Sequence, residues 1–213
     1  MLKANKKTLI ITSIVTILPI LAGVFLWNRL PDVMATHFGP EGEANGFSSK
    51  AFAVFGMPLF CLAMLWVAAF VTANDPRKQN IGPKMFGLVL WIVPIVSVVA
   101  AVMVYPFNLG YNVNVPFIGE VLMSVLFIII GNYLPKARQN YTIGIKIPWT
   151  LANEENWNST HRLAGYIWIA GGIIMLVLTL CGIMKSGWFV GFIAAMVIVP
   201  CLYSYWLHIK RVS

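Results

Sequence analysis

Residues 8–28 read TLIITSIVTILPILAGVFLWN and contain no charged side chain. An α-helix rises about 1.5 Å per residue, so about 20 apolar residues are enough to cross the hydrocarbon layer of a membrane. The stretch follows three lysines, and its apolar run continues to Trp27, which is longer than the hydrophobic region of a typical signal peptide. We therefore predict a first membrane helix that is retained in the protein.

The rest of the chain repeats this pattern. Apolar residues make up 59% of the chain and charged residues only 10%, against roughly 25% charged residues in an ordinary soluble domain. Backbone polar groups cannot stay unpaired in lipid, so each long apolar stretch should be a helix. We predict an all-α polytopic membrane protein with six transmembrane helices. The five further uncharged or nearly uncharged stretches are 51–74, 85–115, 116–134, 164–184 and 186–207.

The distribution of lysine and arginine predicts the orientation. With both termini in the cytoplasm, twelve basic residues lie inside and three outside, and the opposite orientation reverses that ratio. Cytoplasmic loops normally carry the excess of basic residues. The net charge of +8 is therefore a topology signal. The basic residues are spread over four cytoplasmic segments, so we predict no direct contact with nucleic acid.

The external loop between the first two helices carries many turn-forming and aromatic residues. Gly39-Pro40 and Asn45-Gly46 are turn formers and predict a loop that folds back compactly. We expect Phe38 and Phe47 to dip into the membrane interface, and Ser48 or Ser49 to cap the second helix. Four side chains are also candidate cation ligands, but their spacing follows no metal motif, so we predict no metal site and no cofactor. They are Asp32, His37, Glu41 and Glu43.

The cytoplasmic loop 135–163 divides into two parts. Up to Trp149 we predict extended or turn-like chain, because Gly144 and Pro148 interrupt any helix. From Asn153, which suits a helix cap, we predict an amphipathic helix that lies on the inner membrane surface between transmembrane helices 4 and 5. Helical spacing gives this helix one shared face. The face consists of Glu154, Trp157, His161 and Gly165. We expect Trp149 and Trp157 at the level of the lipid headgroups.

Three charged or titratable residues leave alternatives open. His161 is either a proton-transfer group or an interfacial histidine bonded to a loop carbonyl. Arg162 suits a pairing with lipid phosphate. Glu120 lies inside the fourth span near its outer end, where a carboxylate is either functional or solvated at the interface. Gly131 and Asn132 predict close helix packing with an interhelical hydrogen bond. No nucleophile–base motif occurs, so we predict that the chain is not an enzyme.

Both loops resemble the modules of SdpI/YfhL-type proteins. The external loop does so through Pro31, Thr36-His37-Phe38, Gly42, Gly46 and Ser49-Lys50. The cytoplasmic loop does so through Gly131 to Lys136, Asn140, Gly144 to Lys146, Pro148 to Leu151, Trp157 and Thr160 to Arg162. Lys146 stands where an arginine is expected and keeps the charge. The resemblance implies two modules, 1–84 with the external loop 29–50 and 85–213 with the cytoplasmic loop 135–163.

The resemblance also implies a function. Proteins of this family are bacterial plasma-membrane proteins that protect the cell from a secreted peptide toxin, and some signal by holding a cytoplasmic repressor at the membrane. A small transporter or flippase-like protein is the second candidate, and a membrane enzyme that uses His37 or His161 is the third. The external toxin or ligand site would contain His37, Phe38 and Glu120. The cytoplasmic partner site would contain Asn132, Asn140, Pro148, Trp149, Thr150, Trp157, His161 and Arg162.

Overall fold

The computed structural model describes the backbone of residues 1–212 and the side chains of residues 1–210. Within these residues, six helices are long and apolar enough to cross a membrane, which confirms the predicted all-α, multi-pass fold. The regular elements follow in chain order. They are α1 (Lys6–Phe25), β1 (Val33–Phe38), β2 (Ala44–Ser49), α2 (Met57–Ala73), α3 (Pro83–Asn108), α4 (Val115–Tyr133), α5 (Pro148–Ala152), α6 (Glu154–Leu180) and α7 (Ser186–Val212).

The chain forms two compact units. One comprises Met1–Ala73 and Phe86–Ile118, and the other comprises Asn74–Met85 and the chain from Gly119 onward. The predicted division into modules 1–84 and 85–213 follows the family pattern of the sequence and stays a prediction.

In the first unit, polar side chains of α3 reach the backbone of α1 around Pro19. Ser97 Oγ donates to the Thr16 carbonyl at 2.8 Å, and the Tyr105 hydroxyl donates to the Pro19 carbonyl at 3.2 Å. Proline disturbs the hydrogen-bond ladder of its helix and has no N–H to donate. The carbonyl that loses its intrahelical donor is that of Val15, four residues before Pro19. The two donors from α3 bond the carbonyls of Thr16 and Pro19 and so join the helices beside the proline.

The loop between the first two spans contains a β-hairpin that was not predicted from the sequence. Strands β1 and β2 pair antiparallel as a hairpin, and the tight turn is at Gly39–Glu43, where Gly42 has φ +86°. Asn45-Gly46, expected to be a turn, lies within β2 instead. Gly46 sits opposite His37 at a register irregularity, where a Cβ would come within 2.7 Å of the His37 Cβ. The glycine is needed for close strand approach there and does not form a turn.

In the second unit, glycines let the backbones of α4 and α6 approach closely. A Cβ on Gly131 would lie 3.0 Å from the Ile169 nitrogen, and one on Gly172 would lie 2.8 Å from the Ser124 carbonyl oxygen. This is the close packing predicted at Gly131. The predicted interhelical bond of Asn132 is wrong, because its Oδ1 accepts from Lys136 Nζ one turn along the chain, and Asn132 is exposed.

The helix predicted from Asn153 is also placed differently from the expectation. Asn153 caps it as predicted, since its Oδ1 accepts from the Asn156 N–H at 2.8 Å. However, the helix from Glu154 continues without a break to Leu180, so it is the first part of the fifth span and not a separate surface helix. No proline interrupts this stretch, and its aromatic face is covered by protein. The short helix between the fourth and fifth spans is α5, which begins at Pro148, the residue expected to prevent a helix.

Candidate functional site

The hairpin is fixed to α3 within its own unit. The Asn108 side chain bonds both backbone groups of Ala35, accepting from its N–H at 2.8 Å and donating to its carbonyl at 2.9 Å. Phe38 packs edge-on against Phe107, with ring centroids 4.8 Å apart. Ser49 Oγ accepts from the Phe52 N–H at 3.3 Å, at the start of the π-helical segment Phe52–Gly56 that leads into α2, so a serine caps the second span as predicted. The hairpin is therefore a rigidly held platform.

The two candidate hairpin residues differ in exposure. His37 is exposed, and its Nδ1 lies 2.5 Å from Asn45 Oδ1 across the hairpin. Phe38 is half-buried against the core cluster of this unit. Phe47 points outward and is 63% exposed, so no protein atom covers most of its ring. Among residues 1–210, no three histidine, cysteine or acidic side chains come together as a metal site.

Glu120 has a partner on another helix. Its Oε2 accepts from the Thr179 hydroxyl of α6 at 3.0 Å, and its carbonyl accepts from Ser124. The residue is half-buried, so it is neither fully solvated nor enclosed. The structure thus places this carboxylate in an interhelical hydrogen bond of the second unit.

Asn140 organises the loop 137–152. Its side chain is 1% exposed, and both ends are used. Oδ1 accepts from the N–H groups of Thr142 and Ile143, at 2.9 and 2.7 Å, while Nδ2 donates to the carbonyls of Arg138 and Ile143. An asparagine that bonds backbone two and three residues ahead closes a tight turn. This residue shapes the loop and has no bonding capacity left for a partner.

Trp157 and His161 form the buried floor beneath this turn. They are 0% and 1% exposed, and their rings stack with centroids 4.0 Å apart. Trp157 Nε1 donates to the Ala137 carbonyl at 2.7 Å. Trp157 is therefore covered by the loop and does not face lipid, and its predicted level at the headgroups stays a prediction. Gly144, with φ +118°, passes directly above both rings, and a Cβ there would clash with His161 Nε2 and lie 3.1 Å from Trp157 Cζ2.

The hydrogen bonds of His161 define its tautomer. Nε2 accepts from the Ile145 N–H at 2.9 Å, and a nitrogen that accepts carries no proton. Nδ1 lies 2.8 Å from the Trp157 carbonyl, which can only accept, so Nδ1 holds the proton. The imidazole is neutral and both nitrogens are occupied. Of the two roles left open by the sequence, this geometry matches a histidine bonded to loop backbone.

Thr150 and Gln139 fasten the short helix α5 to the loop. Thr150, fully buried, donates to the Ile145 carbonyl at 2.8 Å and accepts from the Ile147 N–H at 3.0 Å. Gln139 Nε2 donates to the carbonyls of Thr150 and Leu151, at 2.7 and 2.9 Å, which satisfies groups at the end of α5. The Pro148-to-Leu151 motif is thus held from both ends.

A buried acid joins this loop to the loop between α2 and α3, and sequence reasoning missed it. Asp75 is 3% exposed, and its carboxylate accepts from three donors. These are the Arg77 N–H at 2.7 Å, the Tyr141 N–H at 2.9 Å and the Thr142 hydroxyl at 2.7 Å. Asn80 Nδ2 donates to the Gln139 carbonyl at 2.7 Å, and Arg77 bonds the Gln139 side chain. Nothing in the sequence relates positions more than 60 residues apart.

Helices α6 and α7 share a buried polar contact near the same end. Asn156 Nδ2 donates to the Ser204 carbonyl at 2.9 Å, and the Ser204 hydroxyl donates back to Asn156 Oδ1 at 2.5 Å. Trp149 lies against α7 as well, stacked on His208 with centroids 5.9 Å apart. The Trp149 side chain is half-buried, as an interfacial residue would be.

Apart from the half-buried Trp149, the residues predicted for the cytoplasmic partner site fall into two groups. Asn140, Thr150, Trp157 and His161 are buried and interlocked, while Asn132, Pro148 and Arg162 are exposed. We call the exposed residues of this region the exposed rim. It also includes Lys146 and Tyr141, and the Arg77 guanidinium lies 5.0 Å from the centre of the Tyr141 ring. The site has no nucleophile beside a base. Its chemistry is that of a rigid fold with a polar and aromatic outer rim.

Comparison with known proteins agrees with this description. Residues 136–204, which include the loop and α5–α6 network, match a family model described as the SdpI/YfhL protein family. Residues 14–62, which include the hairpin, match one described as a domain of unknown function, DUF1648. The class is thus a multi-pass helical membrane protein with a segment that matches the SdpI/YfhL family model, as the resemblance of the motifs led us to expect.

A particular relative extends the match over most of the chain. The protein is 26% identical over 177 residues to "Immunity protein SdpI" of Bacillus subtilis (strain 168), an alignment that covers 81% of this chain and 82% of that protein. No solved structure gives a significant match.

Proposed function

We propose that this protein is an immunity protein of the bacterial plasma membrane, which protects its cell from a secreted peptide toxin. The observation that carries the proposal is the similarity to an immunity protein over 81% of the chain. Two features support it. The chain has a rigid hairpin platform between its first two spans and a second built structure between its fourth and fifth spans.

The orientation belongs to the proposal. With both termini in the cytoplasm, the hairpin faces outside and the loop 137–152 faces inside, because twelve of the fifteen basic residues then lie in cytoplasmic segments. The hairpin is thus the element that a secreted toxin meets first. The side chains most accessible on it are His37 and Phe47.

The hairpin is the proposed toxin-contact element. Exposed aromatic side chains on rigid supports are frequent energetic hot spots of interfaces. Phe47 is 63% exposed and Val33, on the partner strand, is 64% exposed, so neither supports the core. The two residues form a matched pair. Phe47→Ala removes the aromatic contact, and Val33→Ala removes a similarly exposed aliphatic group.

A toxin challenge tests the proposal. A sensitive bacterium that expresses the protein is exposed to purified secreted peptide toxins, and survival is compared with an empty-vector strain. We expect the wild type and Val33→Ala to tolerate a higher dose, and Phe47→Ala to lose about tenfold or more of that tolerance at equal membrane level. No tolerance to any toxin in the wild type would leave the transporter or enzyme as the better reading.

Repressor sequestration is the finer part of the proposal. A cytoplasmic partner would dock on the exposed rim, because Trp157 and His161 lie beneath the loop. Arg162→Ala should then lower recruitment of the partner while tolerance to toxin persists. Lys78→Ala is the control, since Lys78 is an exposed basic residue of another cytoplasmic loop. Equal effects of the two substitutions, or a loss that follows protein level, would count against docking.

A further inference from the structure

A cavity of about 410 Å³ opens beside the start of α3 and the end of α4 in the second unit. Its volume is in the range of about 300–1,000 Å³ that is usual for small-molecule sites. None of the residues lining it is acidic, and two are lysines. The residues that line the cavity are Asn80, Ile81, Gly82, Pro83, Lys84, Met85, Tyr133, Lys136, Ala137 and Asn140.

The charged side chains that line the cavity are two ammonium groups, those of Lys84 and Lys136. The amide of Asn80 donates to the Gln139 carbonyl, and both ends of the Asn140 side chain are bonded within the loop. Lys136 lies at the edge, 3.2 Å from Asn132 Oδ1 and 5.4 Å above the Tyr133 ring. Lys84 is exposed and makes no hydrogen bond or ion pair with the side chains or backbone that the structure describes. The cavity is therefore suited to a negatively charged ligand.

The cavity is also at the edge of the apolar part of the chain. The third span begins at Pro83 and the fourth ends at Lys136, so the two lysines mark the level at which the spans leave the hydrocarbon. The N-terminus of α3, which carries partial positive charge, lies at the same level. The remaining wall is apolar, formed by Ile81, Met85 and Ala137 among others.

We propose that this cavity binds the headgroup of an anionic phospholipid, with Lys84 and Lys136 contacting its phosphate and the apolar wall contacting the first part of an acyl chain. Basic pockets between membrane helices bind phosphate headgroups in this way. A ligand with charge at one end and hydrocarbon at the other matches both halves of the cavity. The binding is independent of toxin recognition, which the hairpin carries.

The experiment uses the full purified chain in zwitterionic detergent. It is titrated with phosphatidylglycerol, and bound lipid is counted by native mass spectrometry. Parallel titrations use phosphatidylcholine and glycerol 3-phosphate. The test variant is Lys84→Gln/Lys136→Gln, and the control is Lys7→Gln/Lys78→Gln, which removes the same charge from exposed lysines outside the cavity. All four lysines are exposed, so we expect both variants to fold, and circular dichroism checks this.

We expect the wild type and the control to bind one phosphatidylglycerol with equal affinity, and the test variant to bind it about tenfold more weakly. Phosphatidylcholine and glycerol 3-phosphate should both bind weakly. Equal weakening in the two variants would mean attraction to surface charge in general and would overturn the site. Binding of phosphatidylcholine as tight as that of phosphatidylglycerol would show that the cavity does not select for negative charge, and it would overturn the proposal. Displacement of the lipid by glycerol 3-phosphate at similar concentration would identify a diffusible anion and overturn the lipid assignment.

Discussion

Gly144→Ala should destabilise the second unit, and the structure gives the size of the effect. Gly144 has φ +118°, a conformation that only glycine adopts readily, and forcing another residue into it costs about 1–3 kcal/mol. The new methyl group would also clash with His161 Nε2 and push it from the Ile145 N–H. A buried donor left without its acceptor costs a further 1–3 kcal/mol or so. The sum is about 2–6 kcal/mol.

The measurement is unfolding of the purified protein by SDS titration, followed by tryptophan fluorescence. Gly87→Ala in α3 is the control, because a Cβ there would meet no heavy atom within 4 Å. An alanine in a helix interior should leave stability equal or raise it by about 0.5–1 kcal/mol. Unfolding of Gly144→Ala at the wild-type midpoint would refute the reasoning that this glycine is required by the rings beneath it.

A double variant separates the two components of the cost. His161→Ala removes the ring that the new methyl group would meet, but it leaves the backbone strain of position 144. We therefore expect Gly144→Ala/His161→Ala to be less destabilised than the sum of the two single variants. Strict additivity would mean that the strain of the backbone alone accounts for the loss and that the contact with His161 contributes nothing.

Three further outcomes follow from named contacts. Asp75→Asn replaces a carboxylate that accepts three hydrogen bonds, so it should lower the free energy of unfolding by about 1–3 kcal/mol. The loss should appear as faster proteolysis around Thr142, and wild-type resistance to protease would contradict it. Glu120→Gln should lower tolerance to toxin at unchanged membrane level if the carboxylate serves the external site, and unchanged tolerance would leave it a structural partner of α6. A reporter active only outside the cytoplasm should work when fused at Gly42 and be silent at Gln79, and the opposite pattern would reverse the proposed orientation.

The transmembrane helices were predictable because the length of an uncharged apolar stretch is enough to identify them. About 20 apolar residues without charge are long enough to span, and every such stretch of the chain is a helix. Two local caps were predictable for a similar reason, since a side chain and the N–H it accepts from are only three residues apart. Ser49 and Asn153 both bond their neighbours in this way.

The hairpin was missed because its turn signal was ambiguous. Gly39-Pro40 and Asn45-Gly46 both suit turns, but only the first lies at the turn, and Gly46 serves close approach to His37. The sequence shows which positions need a small residue and leaves open whether the need is conformational or steric. The strands themselves are short and carry few of the alternating apolar residues that identify a strand.

The hydrogen-bond network around Trp157 and His161 was missed for a different reason. Trp157 and His161 follow helical spacing, and a tryptophan at a membrane boundary normally lies at the headgroups. What covers them is the turn at Gly144, and that turn is held by Asn140 and by Asp75 from another loop. The Asp75 contacts join positions 66 and 67 residues apart, so no local pattern contains them.

The burial of these motif residues restricts where the proposed cytoplasmic partner would dock. Asn140, Thr150, Trp157 and His161 have their polar atoms bonded inside the loop, so a partner can reach them only after the loop opens. Opening would break many hydrogen bonds at once and would be a cooperative event. A partner that binds the closed form must read the exposed rim around Arg162 and Tyr141 instead. Substitutions in the buried set should therefore lower protein level and every activity together, whereas substitutions in the rim should separate recruitment from protection.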